Sequence, residues 1–405
     1  MTPPPPPPTG EGRGEGLSPM HQPKSPKKPS PPGRGLGEGP AQKHPTQTAK
    51  TPKKPAPPTE RQDENLPRNN NLNAIRLLAA LTVLASHAYV LTGHPNEEPL
   101  AILFSHSIDG GALAVAVFFI LSGTLIARSA QRHPPRAFIA ARVRRILPAY
   151  IAVILLQTFA LGPAFTTLPL PTYLATPALW SGLARSLAFS PPPSLPGVFE
   201  TNPLPGLVNA SLWTLRIEIL CYAATLALAR LGTLRPNQIL LPLAILWAAL
   251  LAILAARAGH APAALADIRI AAITDCALHF TMGVAAWVYR DTMKPSPALA
   301  GAGALTILIL APTPLAPIAW HACLPIIVLT LGLARPIAAP LMTRLGDISY
   351  GTYLYAFPIA QTLLAYLPLT PLQLIALATP PTLLCAALSR RLIEQRYTPK
   401  LGKYT

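Results

Sequence analysis

Charge is what this chain has least of. Only 12% of its 405 residues are Asp, Glu, Lys or Arg, about half the share, roughly 25%, of an ordinary soluble domain. Acids are scarcest, 16 against 33 Lys and Arg. Cysteine is nearly absent: Cys221, Cys276, Cys323 and Cys385 each lie within an apolar run and form no CxxC pair. They read as small buried hydrophobes. Also missing are a Gly-rich phosphate cradle, a zinc spacing and a Ser-His-Asp candidate in a soluble domain. Those absences remove nucleotide-loop chemistry, metal sites and soluble hydrolases from the candidates. The formal charge of +17 does not indicate a nucleic-acid partner, because the basic residues flank apolar runs as topology signals do.

What is present is length of apolar chain. Half the residues are hydrophobic, in runs of about 17–25 residues, enough for a helix to cross a hydrocarbon core. A lipid-embedded, all-α polytopic bundle is the fold class this predicts. Residues 1–68 differ. They open with Pro3 to Pro8, hold eleven of the Lys and Arg residues, and lack the apolar content to fold. No apolar stretch follows their first basic residues, so they read as a basic Pro-rich cytoplasmic tail rather than a secretory signal, with a docking role as the alternative. The membrane domain is expected over 69–396, and 397–405 as a short second tail.

Ten spans are predicted, at roughly 74–92, 111–129, 146–162, 207–229, 237–256, 268–289, 297–312, 317–334, 349–367 and 371–388. The Pro-rich stretch 163–206 includes a weakly amphipathic piece, Tyr173–Phe189, that suits the membrane surface. With both termini inside, 28 Lys and Arg fall inside and only Arg185, Arg257 and Arg269 outside. The positive-inside rule therefore supports an N-in, C-in arrangement.

Ionisable residues within such spans need a reason to be there. Arg76 and His87 are eleven residues apart, which places them about 20° apart on one helical stripe and about 16 Å along the axis. A guanidinium at the inner mouth and an imidazole deeper in suit an anionic carrier reaching inward. A neutral imidazole can take a hydroxyl proton during acyl transfer or carry the acyl group itself. The alternative is a His bonded between helices and an Arg marking the boundary. Arg142 and Arg145 share a face at the start of the third span, fit for phosphate or for a plain stop signal. Glu218 falls within the fourth span, where it must pair or protonate. It is placed to orient His87, pair with an Arg or contact a hydroxyl, or else to fix helix packing. Phe118-Phe-Ile-Leu-Ser122-Gly123 reads as small-residue packing. Asp275 and His279 read as a structural hydrogen bond. Glu97 and Glu98 read as surface charges.

Five segments, taken in order, resemble acyltransferase family 3, the integral membrane enzymes that modify bacterial polysaccharides, lipopolysaccharide and Nod factors. They are Arg76 with His87; Phe118-Phe-Ile-Leu-Ser-Gly-Thr-Leu-Ile126; Arg142-Val-Arg-Arg145 with Pro148; Ser211-Leu-Trp-Thr-Leu-Arg-Ile-Glu218; and Ile348-Ser-Tyr-Gly-Thr-Tyr-Leu-Tyr-Ala-Phe-Pro-Ile359. Leu195 to Pro203 is similar to the exopolysaccharide branch. The resemblance implies acyl-CoA, most simply acetyl-CoA, as co-substrate with no permanently bound cofactor. It implies His87 as the catalytic residue, with Glu218 beside it, and Arg76, Arg142 and Arg145 as donor-binding residues. Asn73, Ser122, Ser211, Trp213, Tyr350 and Tyr353 become supporting candidates. The implied partners are the bilayer, a glycan or lipid-linked saccharide acceptor and polysaccharide-synthesis proteins, at a bacterial inner membrane. The sequence departs from the family pattern in three places. Asn73 stands where Asp is usual, Ala356 where His is usual, and Glu394-Gln-Arg396 where Glu-x-Pro is usual. The competing class is a transporter with a His/Glu/Arg proton relay, against which no matching halves are seen.

Overall fold

In the computed structural model, residues 70–192, 194–262, 264, 267–294, 296–334 and 346–397 are described. The tail read at 1–68, all but Tyr397 of the tail read at 397–405, and Arg335 and Arg344 of the topology argument lie outside them. Each of the ten predicted segments falls on a helix. We number these α1 Leu72–Leu91, α2 Gly110–Arg132, α3 Pro135–Leu156, α4 Trp213–Arg230, α5 Pro236–Arg257, α6 Ile268–Val288, α7 Pro297–Leu310, α8 Ala316–Leu333, α9 Ser349–Leu364 and α10 Pro371–Ser389. Among the described residues, eight helices are long and apolar enough to cross a membrane. The two that fall short are α7, with 14 residues, and α9, with 16.

The helix ends follow local chemistry. Asp109 caps α2 by accepting from Ala112 N at 2.8 Å, and Thr370 with Gln373 makes a capping box on α10. Pro opens α3, α5, α7 and α10 at the position where a missing N–H costs nothing. Two sequence readings are corrected here. The third helix begins at Pro135, not near 146, because the Arg- and Ala-rich stretch is itself a good helix former. Arg142, Arg144 and Arg145 therefore lie within α3. Glu98 is 4% exposed, and its carboxylate accepts from Ala101 N at 2.5 Å as a helix cap.

Outward faces are apolar. The most hydrophobic window of α5 has a mean hydropathy of 2.7 and is only 22% buried, leaving Leu240, Leu241, Ile245 and Leu251 exposed. Such a surface is tolerated in lipid, not in water. The stretch 166–212 folds over one end with two short helices, 170–175 and 177–187. Tyr173 and Leu179 anchor it in an apolar cluster with Val198, Phe199 and Val208, while Trp180 stays half exposed. Asn202 Nδ2 donates to Gln361 Oε1 at 2.7 Å, tying the stretch to α9.

The tightest crossing is between α2 and α6. A Cβ on Gly123 would run into the Phe280 carbonyl, and one on Gly283 into the Ile120 carbonyl. Thr124 Oγ1 donates to Gly283 O at 3.0 Å across the same contact. Small residues thus let two backbones touch, as the sequence suggested. Gly123→Ala should lower stability by about 1–3 kcal/mol. Gly301→Ala on α7, where a Cβ meets nothing within 4 Å, should not lower it. Thermal unfolding of both variants in detergent checks this.

Candidate active site

The basic end of the bundle is organised around one carboxylate. Asp347 Oδ2 lies 2.5 Å from Arg145 NH2 on α3 and 3.4 Å from Arg76 NH1 on α1. Its Oδ1 accepts from the Ser349 hydroxyl at 2.5 Å and from the Ser349 N–H at 3.3 Å. Burial pushes the Asp347 carboxyl up. The Arg145 and Arg76 guanidiniums and the Ser349 hydroxyl outweigh that and hold it well below the usual carboxylate range. Asp347 was not singled out from the sequence. The signal was there, since it is the one acid between Asp291 and Glu394.

Arg76 and Arg145 open into a narrow cavity of about 60 Å³ that Ser122, Glu218, Tyr350 and Tyr353 also line. Glu218 Oε1 accepts from Ser122 Oγ at 3.0 Å and from the Tyr222 hydroxyl one turn further along α4. Tyr350 donates to Ile146 O at 3.0 Å. The Tyr353 hydroxyl lies 2.5 Å from Ser211 O and 2.7 Å from Thr214 Oγ1. Tyr222 and Thr214 were also missed. Both are polar atoms one helical turn from named candidates, a spacing that could have found them.

His87 faces a second, larger cavity of about 950 Å³. Its ring meets the edge of Phe357, with centroids 5.2 Å apart. Its Nδ1 is buried with no hydrogen-bond partner. Ala356, at the position of the missing second histidine, is buried among α1 and α9 side chains that include Leu84 and Ala88. His106, Asp109 and Arg257 line the same cavity from the other end of the bundle. Tyr353 and Val115 line both cavities. They form the partition between the arginine pocket and the histidine chamber.

The remaining candidates separate. Ser211 and Trp213 line the larger cavity, Trp213 at 47% exposure and Ser211 with a buried, unpartnered Oγ. Arg142 lies outside the lining of the narrow pocket, its guanidinium 5.9 Å from the Phe138 ring centre. Asn73 is exposed and lines neither cavity. The His279 ring bonds the backbone carbonyl of Asp275, at 2.8 Å, and not its carboxylate.

A membrane-embedded helical bundle with a basic pocket at one end and a buried imidazole chamber at the other is the class defined by this geometry. The family model described as "Acyltransferase domain", of the acyltransferase 3 type, matches residues 69–391, and the chain belongs to that family. It is therefore a multi-pass membrane acyltransferase of the non-aminoacyl kind. A protein named O-acetyl transferase from Shigella phage Sf6 is 28% identical over 345 residues, covering 83% of this chain and 99% of its own length. No solved structure matches.

Proposed function

We propose that this acyltransferase moves an acyl group, acetyl in the simplest case, from cytoplasmic acyl-CoA to a hydroxyl of a cell-surface or exopolysaccharide sugar at a bacterial inner membrane. The carrying observation is the shared wall. The pocket with Arg76 and Arg145 and the chamber with His87 meet at Tyr353 and Val115. Donor phosphates would rest at the arginines, while the thioester arm passes Tyr353 towards His87. At about 60 Å³ the pocket holds only a few waters, so entry of that arm requires the tyrosine wall to move. The relative's printed activity, O-acetyl transfer, supports the choice of acyl group and of an oxygen acceptor.

The chemistry balances with one proton. The acceptor oxygen attacks the thioester carbon while the His87 imidazole takes the hydroxyl proton. The C–S bond then breaks, and the departing thiolate recovers that proton from the imidazolium. Glu218, held by Ser122 and Tyr222, supports the donor side of the partition.

Full-length protein in detergent, given radiolabelled acetyl-CoA and de-acetylated surface glycan, should yield labelled glycan. Movement of solute in reconstituted vesicles with no covalent product would overturn this reading in favour of a transporter. Arg145→Ala should raise the acetyl-CoA KM about tenfold, the loss of roughly one charge-assisted hydrogen bond, measured from initial rates at saturating glycan.

A further inference from the structure

The larger cavity has a second polar wall that the mechanism does not use. Nδ1 of His279 on α6 lies 2.8 Å from Asp275 O, and Nδ1 of His321 on α8 lies 2.7 Å from Pro317 O. A carbonyl oxygen only accepts, so both Nδ1 atoms carry hydrogen and donate. The two rings stack with centroids 4.3 Å apart. Two imidazoliums at that distance would repel, so at most one ring holds a second proton. His321 Nε2 lies 3.3 Å from Asp275 Oδ1, within ion-pair reach but not aligned for a hydrogen bond. That ring is the one placed to share a proton with the carboxylate. His279 Nε2 is left as an acceptor, buried and without a partner. His279 and His321 are 4% and 5% exposed, and both line the cavity together with Asp275.

We infer that Asp275, His279 and His321 form a hydroxyl-binding subsite for the sugar acceptor, set on the α6–α8 side of the chamber that His87 lines. This rests on the acyltransferase reading above. Buried acceptors without donors are costly, and adjacent sugar hydroxyls supply donors at neighbouring positions on one ring. An anionic group would meet the Asp275 carboxylate and the acceptor Nε2 of His279, so the site selects a neutral polyol segment. Trp320 and Cys276 on the same wall offer apolar surface to the sugar's C–H faces. Among the described residues no three His, Cys, Asp or Glu side chains converge as metal ligands.

The test separates the two ring nitrogens. Asn can reproduce the Nδ1 donor and lacks the Nε2 position, whereas Gln reaches the Nε2 position. With oligosaccharides released from the surface polysaccharide of a strain lacking this protein, His279→Asn should raise the acceptor KM at least tenfold and the acetyl-CoA KM less than twofold. His279→Gln should stay within about threefold of wild type in acceptor KM. In wild-type protein, the same oligosaccharides should protect His279 and His321 from diethyl pyrocarbonate, read by peptide mass spectrometry. That footprint decides the matter where a variant does not fold. An unchanged acceptor KM in His279→Asn, or carbethoxylation indifferent to the glycan, would overturn the subsite. Protection without any acetyl transfer would support the subsite and overturn the acyltransferase reading.

Discussion

His87→Ala is expected to reduce O-acetylation of the surface glycan at least a hundredfold while leaving the protein's abundance unchanged. The size follows from the role. A positioned general base contributes about 10²–10⁴ in rate, and no second histidine stands at Ala356 to substitute. The unchanged abundance follows from the surroundings. Among the described residues His87 makes no hydrogen bond, its Nδ1 is unpartnered, and its ring touches the edge of Phe357. Truncation therefore strands no buried partner. Mass spectrometry of polysaccharide from cells expressing each form, with immunoblots for level, checks both halves. Persisting acetylation at normal protein level would refute the catalytic assignment.

The opposite pattern is expected at Asp347. Its carboxylate faces Arg76 and Arg145, with side-chain exposures of 16% for Asp347 and 13% for Arg76. Asp347→Ala leaves two guanidiniums side by side without their shared counter-charge, and breaking such a buried pair costs about 3–5 kcal/mol. The more exposed Arg145, at 37%, places the result at the lower end. Asp347→Asn keeps an acceptor for the Ser349 hydroxyl and should lose less. The pH dependence has a defined sign. A carboxyl held below its ordinary value contributes stability that is complete above that value and is lost as pH falls through the lower folded one. The contribution should therefore be flat from about pH 5 to 8 and decline only below about pH 4. Thermal unfolding in detergent across that range, for wild type and Asp347→Asn, reads it. A wild-type advantage that grows from pH 5 to 8 would contradict the assignment.

These two residues also mark what the sequence made legible. Apolar runs and the Arg76–His87 stripe are local patterns, set by helical geometry, and both appear as expected. Glu218, expected beside His87, instead lines the arginine pocket with Ser122, Tyr350 and Tyr353, while His87 lines the other cavity. Asp347 was not legible as a bridge. Its partners lie 202 and 271 positions away in the chain, and no periodicity encodes such pairings. The same holds for His279 and His321, which lie on different helices and meet only through packing. Arg142 illustrates the reverse case. Its three-residue spacing from Arg145 suggests a shared task, yet only Arg145 reaches the pocket lining. Span length was also only partly legible, since α7 and α9 are shorter than their apolar runs suggested.

The central claim is that the donor acts from the arginine end and the acceptor from the histidine end, with acyl transfer through the wall between them. Sidedness of labelling tests it most directly, because acetyl-CoA does not cross a sealed bilayer. Radiolabelled acetyl-CoA added outside sealed inverted vesicles should label glycan, and the same addition to sealed right-side-out vesicles should not. Equal labelling from both faces, or labelling only in the right-side-out vesicles, would contradict the account.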